Sequence, residues 1–187
     1  MTVASQRYVA LLRGINVGGH NKIPMAELRE VFEEAGHVGV RSYIQSGQVV
    51  FATSEAATGL DAALERAIFD RFGLSIPVVV LPHAKFRSIV EEAPAGFGQT
   101  PDRYHSDVIF LKQPMSPEMA MDVIKLRDGV DQVWSGDSVL YFARLSERRT
   151  ESLMGKIVGT PAYKLMTIRN WKTTITLFEM LELTEGR

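Results

Sequence analysis

The 187-residue chain contains no cysteine, which excludes disulfides, thiolate zinc sites and a cysteine nucleophile. It also lacks long apolar runs. A typical stretch, Ile76-Pro77-Val78-Val79-Val80-Leu81, is far short of the roughly 20 residues that cross a bilayer. The opening MTVASQRYVA lacks the basic-then-apolar order of a signal peptide, so the expected setting is cytoplasmic, with no membrane partner. Histidines are scarce: His20, His37, His83 and His105 show no metal-ligand spacing and no H-E-x-x-H, so no metal is expected. His37 and His83 fall near helix ends and are read as solvated, whereas His20 sits in a polar loop and could exchange protons near neutral pH. No G-x-S-x-G elbow is present, and Ser46 has no evident partner base.

What is present is a folding composition. Apolar residues make up 45% and charged residues 23%, more apolar material than a disordered chain carries. Arg7–Arg13 reads as a buried strand. From Pro24 the period becomes helical, with Leu28, Val31, Phe32 and Ala35 on one face and Gly36 as a stop. Val38–Gln45 and Gln48–Thr53 read as a hairpin about Ser46-Gly47. Leu60 to Phe72 is a second amphipathic helix ending at Gly73, and Ile76–Leu81 is a strand. A linking helix carries Phe86, Ile89, Val90 and Ala93. After the Gly- and Pro-rich stretch Ala95–Arg103 the order recurs: strand His105–Lys112, a helix opened by Ser116-Pro117, and a hairpin of Val130–Trp134 and Val139–Ala143. A helix over about Arg149–Val158 follows, then strand Leu165–Arg169 and a last helix Trp171–Leu183. The expected class is α+β: two ferredoxin-like βαββαβ subdomains in tandem, over residues 1–94 and 95–187, with the linking and C-terminal helices added.

The near-neutral net charge of -1 hides a segregation. Residues 1–26 carry Arg7, Arg13 and Lys22 and no acid, and residues 141–178 carry seven cations against two acids. Topology adds to this. The first strand of a βαββαβ unit ends beside the turn between its second and third strands. That brings Arg13-Gly14-Ile15-Asn16-Val17-Gly18-Gly19-His20-Asn21-Lys22 to Gln45-Ser46-Gly47-Gln48. The opposite edge of the second unit gathers Arg144, Arg148 and Arg149 with Arg169-Asn170-Trp171-Lys172. Asn170 fits as the cap of the last helix, whose N-terminus with flanking cations favours anions. Trp171 can stack on a planar ligand or anchor its helix.

Sharper motifs fail. Gly14-x-x-x-x-Gly19 has P-loop glycine spacing, but His20 and Asn21 stand where Lys and Ser or Thr belong, and G-x-G-x-x-G is absent. Tyr8 and Phe51 fall on the strands that bear the stacking rings of RNA-recognition modules, yet the RNP signature is missing and both are assigned to the core.

Three stretches, RYVALLRGINVGGHNKIPMAELR, VRSYIQSGQVVF and TIRNWKT, resemble the signatures of a bacterial family known as domain of unknown function 1697. The resemblance spans about residues 7–181 and implies a tandem of ferredoxin-like subdomains but no established activity. It marks Arg13, Gly14, Asn16, Gly18, Gly19, Asn21, Lys22, Gln45, Ser46, Gly47, Arg169, Asn170 and Trp171. Gln48 and Lys172 stand where the family usually has Asn. Three functions follow for test. The first is binding of an anionic small molecule or nucleic acid through Arg13, Asn16, Gly18, Gly19, Asn21, Lys22, Gln45, Ser46, Gly47, Arg169, Asn170, Trp171 and Lys172. The second is an interaction or homo-oligomerisation module whose signature loops are structural. The third is an enzyme acting on an anionic metabolite, with Arg13, Lys22 and Arg169 holding charge and His20 moving protons. No cofactor is implied.

Overall fold

In the computed structural model, which describes residues 5–183, the eight strands follow the order read from the sequence, and one expected helix is missing. The chain is α+β, with two four-stranded antiparallel sheets and helices. It divides into two compact units, residues 5–87 with 177–183 and Ser88–Thr176. No helix among the described residues is long and apolar enough to cross a membrane.

The first unit holds β1 (Gln6–Leu12), α1 (Met25–Glu34), β2 (Val38–Tyr43), β3 (Gln48–Thr53), α2 (Leu60–Phe72) and β4 (Val78–Pro82). Its sheet order is β2-β3-β1-β4. Strand alternation sends Tyr8, Ala10, Leu12, Val49, Phe51 and Val78 to one face. There Leu28, Val31 and Phe32 of α1 and Leu60, Leu64 and Ile68 of α2 close the core. α2 stops at Gly73, whose left-handed backbone directs its N–H to the Phe69 carbonyl. β2 ends at Tyr43, two residues short of the sequence expectation, because Ile44 turns the chain with φ of +47°. β2 also carries an irregularity between Val38 and Arg41, where Gly39 has φ of +63°.

His37 corrects the sequence reading. It is buried rather than solvated, with its ring 4.8 Å from Phe51 and 6.2 Å from Phe32. His83 is also held rather than free in solvent: Arg7 Nη2 lies 2.9 Å from its Nδ1, and its Nε2 lies 2.5 Å from Glu182. Glu182 belongs to α5 (Trp171–Glu182) and also accepts from Arg87 at 2.7 Å. The last carbonyls of α5 are themselves capped, Leu181 by Arg7 Nη1 and Met180 by Arg41 Nη2 at 2.6 Å. Cations suit the negative end of a helix, so these arginines are engaged in binding their own chain.

The second unit holds β5 (Tyr104–Leu111), α4 (Pro117–Val123), β6 (Asp131–Ser135), β7 (Val139–Leu145) and β8 (Met166–Asn170), in the order β6-β7-β5-β8. α3 (His83–Glu91) leads into it. Ile109, Leu111, Leu140, Phe142 and Met166 form its core with Ala120, Met154 and Ile157. Ser116 caps α4 by accepting from the Met119 N–H, with Pro117 in the first turn, as the sequence indicates. The helix expected over 149–158 is absent. Three 3-10 turns, Arg149–Glu151, Met154–Ile157 and Ala162–Leu165, take its place. Ser152 and Val158 are extended, and local side-chain bonds from Ser152 and Thr160 compete with helix propagation.

Burial holds the His37 imidazole below its ordinary pKa of 6.5, against an opposing pull from Glu55. The unfolded chain then binds a proton that the fold resists, so stability is lost as pH falls from 6.5 through the lowered value. His37→Leu should flatten that acid limb, which urea titrations from about pH 7 to pH 5 would read as a smaller loss than in the parent.

Candidate functional site

The first candidate site is built where β1 gives way to α1. Arg13, partly buried, donates its N–H to the Pro77 carbonyl at 2.9 Å. From there Gly14, Asn16, Gly18, Gly19 and Asn21 all adopt positive φ, so the loop folds back on itself in a space of eight residues. Two asparagines hold it. Asn16 Nδ2 donates to the Ile23 carbonyl at 2.9 Å and to the Gln45 carbonyl at 2.8 Å, and its Oδ1 accepts from the Ile23 N–H at 2.9 Å. Asn21 Nδ2 donates to the Gly14 carbonyl at 3.0 Å. The Leu12 N–H donates to the Gly47 carbonyl at 2.8 Å, and Ile15 is buried beneath. Gly47 has φ of +77°, and a Cβ there would lie 2.8 Å from Ile15 and Leu12, so this turn needs glycine.

The loop and the 44–47 turn thus meet as topology requires. Their polar groups divide in two. Asn16, Asn21 and Gly47 are spent on the scaffold. His20, Lys22 and Gln45 are exposed, and Ser46 is half-buried. The backbone N–H groups of Gly18 and Gly19 donate to no group among the described residues. Gln48, by contrast, is buried.

The second set of signature residues lies in the other unit and is organised differently. Arg169 is partly buried, desolvation pushes its guanidinium pKa down to about 10, and its Nη1 donates to the Ile168 carbonyl at 2.8 Å. Asn170 Oδ1 accepts from the Thr173 N–H at 2.8 Å, capping α5. Trp171 packs edge-on to Phe97 with centroids 5.1 Å apart. Gly98 lies so close beneath the indole that a Cβ there would sit 1.9 Å from it. Lys172 is exposed. Arg148 pairs with Glu151 at 2.7 Å, and Arg149 is exposed.

Arg144 leads to a constellation that sequence reasoning missed. Its Nη2 lies 3.3 Å from Oδ2 of Asp107, and His105 Nε2 lies 3.2 Å from the other carboxylate oxygen. Asp107 is 7% exposed. Burial pushes its carboxyl above the ordinary value, while His105 and Arg144 pull it back. Across the sheet, Arg144 faces His105 on β5 and Asp131 on β6. Asp131 Oδ2 accepts from the N–H groups of Arg127 and Leu153 at 2.8 and 2.9 Å. The available signal was the strand alternation that puts His105 and Asp107 on one face. Among the described residues no three acidic or imidazole side chains gather to hold a metal ion.

Two four-stranded antiparallel sheets, with a clamped Gly/Asn loop leaving the first, define an α+β protein whose exposed polar chemistry sits on loops. The chain belongs to the family described as Protein of unknown function (DUF1697), matching its model over residues 5–141. It is similar to the conserved bacterial protein SP0830 from Streptococcus pneumoniae, with 28% identity and a TM-score of 0.83 over 95% of this chain and 99% of that one. No curated protein matches the chain.

Asn16→Ala removes three hydrogen bonds and leaves a residue with a Cβ but no side-chain partner at φ of +54°. It should cost about 3 kcal/mol in chemical denaturation. The raised Asp107 carboxyl acts with the opposite sign to His37. Its folded value exceeds the ordinary 3.8, so its contribution is complete below 3.8 and declines as pH rises through the raised value. Asp107→Asn should remove that decline, measured as a flatter stability profile between about pH 4 and pH 7.

Proposed function

We propose that the chain binds an anionic ligand at the loop of residues 13–22, within the first of two ferredoxin-like subdomains. The matching strand orders β2-β3-β1-β4 and β6-β7-β5-β8 support the tandem reading. The observation that carries the ligand reading is the pair of glycine N–H groups at Gly18 and Gly19. They stand without an acceptor among the described residues, on backbone of positive φ, beside exposed His20 and Lys22. Successive amides in such a conformation form a concavity that suits a phosphate oxygen, and a lysine beside it adds charge. Gln45 and Ser46 border the same loop through the Asn16 bond.

Arg169, Asn170 and Trp171 fall outside this proposed site. Arg169 Nη1, Asn170 Oδ1 and the Trp171 ring are engaged within the second unit, which favours a structural role for them. A phosphorylated small molecule fits this scale better than nucleic acid, because the loop offers few cations, Lys22 exposed and Arg13 partly buried.

Inorganic phosphate titrated at low salt should shift the amide resonances of Gly18 and Gly19 first. Lys22→Ala should weaken that binding about fivefold to tenfold, as measured by the same titration. Unmoved Gly18 and Gly19 resonances at millimolar phosphate reject the reading.

A further inference from the structure

Beside the proposed anion site stands a strained residue in the β2–β3 turn. Ile44 opens the 44–47 turn with φ of +47°, a left-handed conformation that Gly, Asn and Asp accept and a β-branched residue resists. Strain of this kind persists where the surroundings impose it, and it concentrates at sites of binding or catalysis. The side chain gives little to the core in return, since Ile44 is 51% exposed. Val17, in the facing loop, is 61% exposed. The two residues flank one hydrogen bond: Val17 follows Asn16 and Ile44 precedes Gln45, and Asn16 Nδ2 donates to the Gln45 carbonyl. Two exposed branched aliphatic side chains therefore border the loop that carries the Gly18 and Gly19 amides, His20 and Lys22.

An inorganic anion would use the amides and Lys22 and ignore both aliphatic groups. A purely apolar partner would leave the cation and amides unmatched. A ligand that joins the two chemistries uses all of them. We infer that the anion is the phosphate of an ester whose organic part is planar or apolar, and that Ile44, with Val17, packs against that organic part. This inference rests on the anion-binding reading above. It assigns Ile44 and Val17 the role of discriminating between phosphate compounds, while the amides and Lys22 supply the affinity that all of them share.

The test compares three probes on the full chain by calorimetry and amide chemical shifts: inorganic phosphate, phenyl phosphate and adenosine 5′-monophosphate. At least one of the two esters should bind about tenfold more tightly than inorganic phosphate, the factor expected from covering most of one branched aliphatic side chain. Ile44→Asn keeps a residue that accepts positive φ, so it should fold as well as the parent or better in thermal melts. It should lose the ester preference and retain the affinity for inorganic phosphate. Esters that bind no better than phosphate, or an Ile44→Asn protein that keeps the preference, overturn this inference and leave the anion site standing. Loss of all three affinities in the parent overturns both.

Discussion

The side chain of Asn16 is the joint on which the first unit's signature region depends. One amide group donates to two carbonyls and accepts one N–H, tying the residues after β1 to the approach of α1 and to the β2–β3 turn. A carboxylate in its place could not donate, and a methyl could do neither, so the joint needs an amide. Around it the loop reverses direction on left-handed backbone, which three glycines and the two asparagines tolerate. The close seat of Gly47 on Ile15 then fixes the turn against the loop from beneath.

Several of the clustered cations are engaged by the protein's own groups. Read along the chain, the cations cluster as if to meet a ligand. In space Arg7 and Arg41 hold the carbonyls that end α5, Arg144 faces the buried Asp107, and Arg148 faces Glu151. The exposed ion pair of Arg148 contributes little stability, whereas Arg144 offsets part of the cost of burying a carboxylate in a sheet. Few cations are left facing solvent near the loops, and Lys22 matters because of that.

Much of the fold was legible because the signals were local. The 3.6-residue spacing of Leu28, Val31 and Phe32, the stop at Gly73 and the Ser116-Pro117 start each involve neighbours in sequence. The region 149–158 misled because its apolar residues have helical spacing, while Ser152 and Gly155 favour turns and the Asp131 carboxylate takes the Leu153 N–H from a distant strand. The meeting of the 13–22 loop with the 44–47 turn was legible from strand order alone. The work of Asn16 was not, since its partners are backbone atoms that carry no residue identity. The His105–Asp107–Arg144 group was hidden for a related reason: its arginine comes from another strand, far along the chain.

The irregularity in β2 bears on what an outer strand offers to its surroundings. β2 is an outer strand of its sheet, and outer strands offer unpaired N–H and C=O groups to any extended chain nearby. Between Val38 and Arg41 the regular spacing of those groups is broken, and Arg41 places a cation on the same strand. An incoming strand would find a donor–acceptor row out of step with its own. A regular strand laid along β2 would leave part of its own row unmatched there, which disfavours growth of the sheet on this side.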